Sequence, residues 1–237
     1  MEMTKRIDAI LARVKERGVF PVIQRYTYDK MNIEDEMAII RAIGKTRTPN
    51  FVIDDHNRAA FENIVKWCFG DSSAMALNPE THQPEPANMK AGWWIAGNTG
   101  SGKSWCLDII KEYCAVLQFR VDFGEKQGCL VWRNHRADEI VADYQATGEM
   151  EVRKQHVIGI HDVGTEQMET LYMGNRIPVI RTILEYRGDR SDMITFVTSN
   201  LAIGSKKLGE YYGDRVESRL REMFNYIEIR GIDRRKK

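Results

Sequence analysis

The stretch WWIAGNTGSGKSWCLDIIKEY, from Trp93 to Tyr113, decides the fold class, because it reads as an apolar strand, a glycine-rich turn and an amphipathic helix in direct succession. Residues 97–104 have the spacing G-x-x-x-x-G-K-S. Glycines let the backbone amides of such a turn surround a phosphate, the lysine meets the outer phosphates, and the serine hydroxyl can coordinate magnesium. The stretch therefore predicts a nucleotide site, with ATP and Mg²⁺ as the expected cofactors.

The predicted nucleotide site comprises the whole loop and the start of its helix. Lys103 is also a predicted catalytic residue, and Ser104 a predicted magnesium ligand. The alternative is a glycine-rich turn that carries a lysine by chance, and the flanking strand and helix argue against it. The predicted nucleotide-binding residues are Gly97, Asn98, Thr99, Gly100, Ser101, Gly102, Lys103, Ser104 and Trp105.

Beyond the loop, apolar strands alternate with helices, which predicts an α/β fold with a parallel sheet flanked by helices. Ligands of such sheets bind at the carboxyl ends of the strands, where the loop and the candidate residues below fall. We expect further strands at residues 128–134, 156–164, 193–200 and 226–232, and helices at 102–117, 138–144, 176–188 and 211–224.

The third strand ends in the predicted catalytic and magnesium-binding acid, Asp162. Two acids are usual at this position, one on the magnesium side and one to position the attacking water. Here His161 precedes Asp162, and Glu166 follows four residues later as a second candidate catalytic residue. A solvated loop charge or a helix cap is an equally good interpretation of Glu166.

The fourth strand ends in the polar run Thr198, Ser199 and Asn200. Asn200 is a predicted catalytic residue, because a polar side chain there can sense the γ-phosphate or hold the attacking water. The alternative is a strand-end turn in which asparagine takes a left-handed conformation.

The chain divides into three predicted regions: a helical N-terminal segment over residues 1–75, a proline-containing loop or linker over 76–91, and the nucleotide-binding domain over 92–237. The N-terminal segment either docks a partner or packs on the domain. Its predicted helices are an amphipathic one with Ile7, Ile10, Leu11 and Val14 on its apolar face, a second over 33–43, and a third from Asp54 or Asp55 to Phe69.

Composition excludes several classes of protein. The net charge of +1 across 237 residues gives no global attraction to nucleic acid. No apolar run of the length that crosses a membrane is present, and no signal-peptide core, so we expect no membrane partner and a cytoplasmic location. The four cysteines form no CxxC pair, which argues against a zinc ribbon and for reduced thiols.

Four stretches together resemble the DnaC/DnaI-type helicase loaders and their relatives, the IstB-type transposition ATPases, both of the AAA+ class. They are GNTGSGKS, IHDVGTE, LEYRGDRSDMITFVTSNL and YYGDRVESRLREMF, and the resemblance covers about Trp93 to Phe224. The resemblance implies a P-loop fold of AAA+ type. It also implies an ATPase that loads or remodels a replicative helicase on single-stranded DNA, and that forms a homo-oligomer with ATP.

Three alternatives remain open. The chain is an IstB-like helper that binds duplex DNA and recruits a transposase, a nucleotide-binding scaffold with little hydrolysis, or a small-molecule kinase. A kinase would carry an arginine-rich lid, which is not recognisable in the sequence.

In the family, the helix with the pattern GxRxxxRL carries an arginine that reaches the nucleotide of the neighbouring subunit. The resemblance transfers this role to Arg215 or Arg219. The alternative is a surface helix with ion pairs, such as Glu217 with Arg221.

One departure from the family concerns hydrolysis. The third strand of the family ends in DDxG, whereas this chain has HDVG, so His161 replaces the first acid. A neutral imidazole brings no charge to Mg²⁺, and we therefore expect hydrolysis to be weak.

Nucleic-acid contact has a weaker basis in the sequence. Trp132, with Arg133, His135 and Arg136 close behind it, either stacks on bases or belongs to the core, and the second interpretation is the more common for such a tryptophan. The basic run from Arg234 to Lys237 either attracts phosphate or is a disordered tail.

Overall fold

Five parallel strands form the central sheet of the protein, in a computed structural model that describes residues 6–9, 12, 22–29, 31–124, 126–231 and 233–234. A three-stranded antiparallel sheet and two hairpins surround it. The elements in chain order are β1 (Ile23–Arg25), α1 (Ile33–Arg47), α2 (Arg58–Cys68), β2 (Met75–Leu77), β3 (Pro84–Pro86), β4 (Gly92–Ala96), α3 (Lys103–Leu117), β5 (Arg120–Phe123), β6 (Lys126–Cys129), β7 (Asn134–Arg136), α4 (Ala137–Thr147), a 3-10 turn (Glu151–Lys154), β8 (Val157–Val163), β9 (Thr170–Tyr172), β10 (Asn175–Ile177), α5 (Val179–Gly188), β11 (Ile194–Ser199), α6 (Lys206–Tyr212), α7 (Asp214–Met223) and β12 (Phe224–Glu228).

The strand order of the central sheet is β12-β4-β11-β8-β7. The loop strand β4 and the acid-bearing strand β8 therefore both pair with β11, which lies between them. This parallel sheet with helices on both faces confirms the predicted α/β fold, a parallel sheet flanked by helices. The carboxyl ends of β4, β8 and β11 meet at one edge, where parallel sheets of this kind bind their ligands.

Successive side chains of β4 point to opposite faces of the sheet, and each face is covered by its own apolar layer. Trp93 and Ile95 face one layer, which α1, α2 and α3 cover, while Trp94 and Ala96 face the other, which α4, α5, α6 and α7 cover. Strands buried on both faces read as continuous apolar runs, and this explains why the strand signals of β4, β8 and β11 are so strong in the sequence. The sheet is thus a rigid platform beneath the loop.

The N-terminal helices share the first of these layers. Met37 and Ile40 of α1 and Phe61 and Trp67 of α2 are buried against residues of α3 and the sheet. The predicted helix over 33–43 extends to Arg47, and the third helix begins after the cap residue Asn57 rather than at Asp54 or Asp55. The division of the chain into three regions stays a prediction.

The segment predicted as a proline-containing loop holds an antiparallel hairpin of β2 and β3. Pro84 and Pro86 are tolerated because β3 pairs only with β2, so that the missing N–H groups fall on an open edge. Ala76 is buried in the first apolar layer. A strand of three residues is too short to show a recognisable alternation of apolar and polar residues, so the sequence did not predict this hairpin.

Three predicted elements differ from the observed ones. The strand expected at 128–134 is split, because β6 pairs with β5 in the small antiparallel sheet and only β7 joins the central one. The helix expected at 211–224 is broken at Gly213, whose φ of +81° ends α6 and begins α7. The final strand is shifted to β12.

Two further predictions concern the ends of the chain. Residues 6–9 and 12 are helical, while Ile10, Leu11 and Val14 lie outside the described residues, as do residues 235–237. Among the helices that the structure describes, none combines the length and the apolar character needed to cross a membrane.

Gly92→Ala is expected to lower the free energy of unfolding by about 2 kcal/mol or more, as overpacking of a core does. A Cβ at Gly92 would overlap the carbonyl oxygen of Thr195, on the neighbouring strand β11. Chemical denaturation measures the change. Gly128→Ala is the matched control, since the nearest backbone atom to a Cβ there is Val121 O at 3.8 Å, and the closest contact is the Phe123 ring at 3.3 Å. Equal stability of the two variants would contradict this account of β4 and β11.

Candidate nucleotide-binding site

The loop between β4 and α3 has a backbone that side chains with a Cβ would obstruct. Gly97, Gly100 and Gly102 have φ values of +153°, +79° and +103°. A Cβ at Gly97 would overlap the carbonyl oxygen of Ile229, and one at Gly100 would overlap the side chain of Asp233. Glycine is therefore required here by conformation and by close approach of other backbone. The loop has the shape that a phosphate cradle needs.

Lys103 and Asn200 meet at the mouth of this loop, although they are far apart in sequence. The Lys103 ammonium donates to Asn98 O and to Asn200 Oδ1, both at 2.8 Å, and the lysine is only 5% exposed. Of the polar run at the end of β11, Asn200 alone lines the cavity described below; Thr198 and Ser199 are fully buried and bond to β8. The structure thus brings together two residues that the sequence predicted for one site.

A cavity of about 310 Å³ opens over the loop and the start of α3. Four of its lining residues are cations and one is an acid, so it is complementary to a polyphosphate. No side chain caps the N-terminus of α3 within the described chain, which leaves the helix dipole directed into the cavity. The lining residues are Arg47, Thr99, Gly100, Gly102, Lys103, Ser104, Trp105, Arg136, Asp162, Asn200 and Arg234.

Asp162 is the acid of this cavity, and its backbone is left-handed, with φ of +58°. Its carboxylate accepts from Arg136 Nη1 at 3.2 Å, and its N–H donates to Thr198 Oγ1 at 3.1 Å. Aspartate tolerates this conformation better than most residues, yet the neighbouring hydrogen bonds are needed to maintain it. The structure therefore holds the predicted acid in one orientation.

The residues present fit a magnesium ion. The Ser104 hydroxyl and the Asp162 carboxylate both line the cavity and are oxygen donors, which Mg²⁺ prefers, and this ion usually takes its remaining ligands from substrate phosphates and water. The buried Ser101 hydroxyl has no hydrogen-bond partner among the described residues. Among all the residues that the structure describes, no cluster of three or more His, Cys, Asp or Glu side chains could hold a metal ion.

His161 is turned away from the phosphate loop and towards α3. Its Nε2 lies 3.0 Å from Asp108 Oδ1 and its Nδ1 lies 3.2 Å from Thr198 Oγ1, so both ring nitrogens are engaged. The ring is 8% exposed. Burial would raise the pKa of Asp108, but hydrogen bonds from His161, Asn134 and Arg47 outweigh it and lower that pKa to about 2. A fully ionised carboxylate thus lies behind the imidazole.

Glu166 lies outside the cavity. It is 4% exposed, and its carboxylate accepts from the Gly164 N–H at 2.7 Å and from the Tyr212 hydroxyl. Burial raises its pKa, and the bond from Tyr212 opposes that rise. The side chain is neither a solvated loop charge nor close to the phosphate loop. It ties the turn after β8 to α6.

Arg215 and Arg219 also lie outside the cavity, on α7. Arg219 is anchored, because its guanidinium forms an ion pair with Asp189 and donates to Glu185 O at 3.3 Å. Arg215 is exposed and has no hydrogen bond or ion pair with the described residues. Neither lines the nucleotide cavity of its own chain.

Three of the four cations of the cavity were not assigned to it by the sequence. Arg47 comes from α1, Arg136 from β7, and Arg234 from the segment after β12. Arg234 donates from Nε to Ser101 O at 3.1 Å and from Nη2 to Asp54 at 2.7 Å. No local signal identifies these residues, because tertiary packing alone brings them to the loop.

A second cavity, of about 400 Å³, adjoins the first and shares Gly102, Trp105 and Arg234 with it. Its other walls come from the N-terminal segment and are largely apolar or amide in character. They comprise Thr48, Asn50, Phe51, Val52, Asn57 and Phe61.

The candidate nucleic-acid contact at Trp132 is not supported by its position. Trp132 is 7% exposed and stacks on Phe196 with ring centroids 4.3 Å apart, so it belongs to the core. Arg136, from the same stretch, points to the nucleotide cavity instead.

Comparison with known proteins gives matches among solved structures alone. No family model matches the chain, and no curated protein does. A candidate primosome component from Streptococcus pyogenes serotype M3 is 19% identical, over 78% of this chain and 85% of that one, with a TM-score of 0.49. The DnaC helicase loader is 17% identical, over 77% of this chain and 94% of that one, with a TM-score of 0.44. At these identities and TM-scores the similarity is one of fold alone.

Proposed function

We propose that the chain binds ATP with Mg²⁺ at the glycine loop and hydrolyses it slowly, as a DNA-replication factor that loads or remodels a replicative helicase on single-stranded DNA. The observation that carries the nucleotide assignment is the convergence of Lys103 and Asn200 on a glycine cradle inside a cation-lined cavity. The loader assignment is supported by the sequence motifs from Trp93 to Phe224.

Each residue of the cavity has a role in this proposal. The loop amides and the N-terminus of α3 hold the phosphates, Lys103 meets the outer ones, and Ser104 and Asp162 would hold the metal ion. When bound, Mg²⁺ would neutralise charge that develops on the phosphates. Asn200 is placed to orient the γ-phosphate or the attacking water. The second cavity would take the adenine, with Trp105 between base and phosphates.

Titration calorimetry with ATP, in the presence of Mg²⁺ and in EDTA, tests the nucleotide assignment. The native chain should bind ATP more tightly with Mg²⁺ than without it. Absence of binding under both conditions would refute the assignment.

A nucleotide-binding scaffold with little hydrolysis remains the second candidate, and the position of His161 favours it. Because both ring nitrogens are engaged, the imidazole has no free lone pair to offer a metal ion or a water molecule. Measured ATP turnover separates the scaffold from the slow ATPase.

Asp162→Asn is expected to abolish the hydrolysis that the native chain shows, because Asp162 is the acid of the cavity. The native rate itself should fall below about 1 per second, slow on the general enzyme scale. Phosphate release measures both. Asp138→Asn is the matched control, since Asp138 also pairs with Arg136 but does not line the cavity. Equal loss in the two variants would contradict the role of Asp162.

Affinity capture tests the partner. The chain should retain the replicative helicase of its source organism in the presence of ATP and single-stranded DNA. Retention of a transposase instead, together with duplex DNA, would support the IstB-like alternative.

A further inference from the structure

A chain of three hydrogen bonds connects α3 to the backbone of Asp162. Asp108 bonds to His161 Nε2, His161 Nδ1 bonds to the Thr198 hydroxyl, and that hydroxyl bonds to the Asp162 N–H, at 3.0, 3.2 and 3.1 Å. Thr198 is fully buried and His161 nearly so. Water therefore does not compete with the two bonds of Thr198, and the series links one acid to another across β8 and β11.

The chemistry of the groups fixes the direction of each bond. An ionised carboxylate only accepts, so His161 Nε2 carries a proton and donates it to Asp108. In a neutral imidazole Nδ1 then accepts, and the Thr198 hydroxyl donates to it. The lone pairs of the same hydroxyl oxygen remain available to accept the Asp162 N–H. The tautomer of His161 thus decides which way Thr198 points.

Asp108 is well held at the start of this series. Asn134 Nδ2 donates to it at 2.8 Å, and Arg47 forms an ion pair with its other oxygen. Asp108 lies four residues after Ser104 on α3, and therefore on the same face of the helix, one turn further from the loop. Its carboxylate lies on the side of the sheet where β8 has His161 in place of an acid.

We propose that Asp108 is a positioning residue of the nucleotide site, which acts through His161 and Thr198 to hold Asp162 in its left-handed conformation. The proposal rests on the proposed function, because Asp162 must serve a magnesium–nucleotide complex for its position to matter.

The tautomer of His161 tests the hydrogen-bond series without any nucleotide. Nitrogen-15 NMR of histidine-labelled protein should show a proton on Nε2 of His161 in the native chain, because Nε2 faces the Asp108 carboxylate. Asp108→Asn should shift the population towards Nδ1–H, whereas Thr198→Val should retain Nε2–H. An Nε2 that carries no proton in the native chain would overturn the proposal.

ATP affinity with Mg²⁺ and in EDTA tests the effect on Asp162. Asp108→Asn should reduce the Mg²⁺-dependent gain in affinity about tenfold, as loss of a partner behind a metal ligand does, and leave affinity in EDTA unchanged. In an Asp162→Asn background the same substitution should change that gain less than about twofold, since the two residues act in series. The proposal would be overturned if Asp108→Asn reduced the Mg²⁺-dependent gain equally in the native and the Asp162→Asn backgrounds. It would also be overturned if Asp108→Asn reduced ATP affinity equally with Mg²⁺ and in EDTA.

Two variants make this test independent of folding defects. Thr198→Val removes the middle hydroxyl at almost constant shape, and it should reproduce the loss of the Mg²⁺-dependent gain. Glu112→Gln makes the same kind of change on an exposed part of α3 and should leave affinity unchanged. A native chain without Mg²⁺-dependent ATP binding would refute the proposed function. If the native chain binds ATP in this way and Asp108→Asn and Thr198→Val bind it equally well, this inference alone is refuted.

Discussion

Lys103→Ala should weaken ATP binding by about 100-fold, the effect of losing about 2.7 kcal/mol of charge-assisted hydrogen bonds. Lys103 is buried at the mouth of the loop, and its ammonium already has two oxygen partners, Asn98 O and Asn200 Oδ1. The cation is therefore preorganised in the place where the outer phosphates would lie. Titration with ATP and Mg²⁺ measures the loss.

Lys111→Ala is the matched control for this result. Lys111 lies on the same helix, α3, but pairs with Glu112 and does not line the nucleotide cavity. It should bind ATP like the native chain. Thermal unfolding of both variants without nucleotide shows whether either has lost its fold. Undiminished ATP affinity in a folded Lys103→Ala variant would rule out the loop as the phosphate site.

Arg215→Ala should lower ATP hydrolysis in the assembled state by about 1,000-fold, the lower end of the range for an arginine supplied by a neighbouring subunit. The resemblance left Arg215 and Arg219 as equal candidates, but their surroundings differ. Arg219 is anchored to Glu185 O of α5 and to Asp189 just after that helix, whereas Arg215 is exposed and free to reach another subunit. Steady-state phosphate release with saturating ATP and DNA measures the effect.

A mixing experiment decides whether the arginine acts between subunits. Arg215→Ala and Lys103→Ala are each inactive alone in this account, but a mixture contains interfaces that join an intact loop to an intact arginine. Some activity should therefore return on mixing. Arg221→Ala is the control on the same helix, since Arg221 is held by Glu80 and Glu217. Absence of recovery in a mixture that co-assembles would point to a structural role for α7.

The local sequence was sufficient to predict the centre of the candidate site. The strand, the glycine turn and the helix around Lys103 are specified by neighbouring residues, since glycine conformation and apolar periodicity act over a few positions. The meeting of the loop with Asp162 and Asn200 also follows, because all three lie at carboxyl ends of strands in one parallel sheet.

The periphery of the site could not be predicted in this way. Arg47, Arg234 and Asp108 reach it through helix packing and through the path of the chain after β12, which no local pattern encodes. Glu166 illustrates the converse. Its spacing from Asp162 suggested a catalytic role, but the turn at Gly164 directs its side chain to Tyr212 instead.

The bonds of Arg234 have a consequence for the order in which the protein acquires its structure. They join the loop to residues 133 positions later, and Asp54 to a residue 180 positions later. Contacts between such distant parts of a chain form slowly, because the chain must first lose the conformational entropy of closing a long loop before the contacts stabilise it. The cavity is thus complete only after the N-terminal segment and the segment after β12 have both packed against the phosphate loop. We expect this closure of the cavity to be a late step of folding.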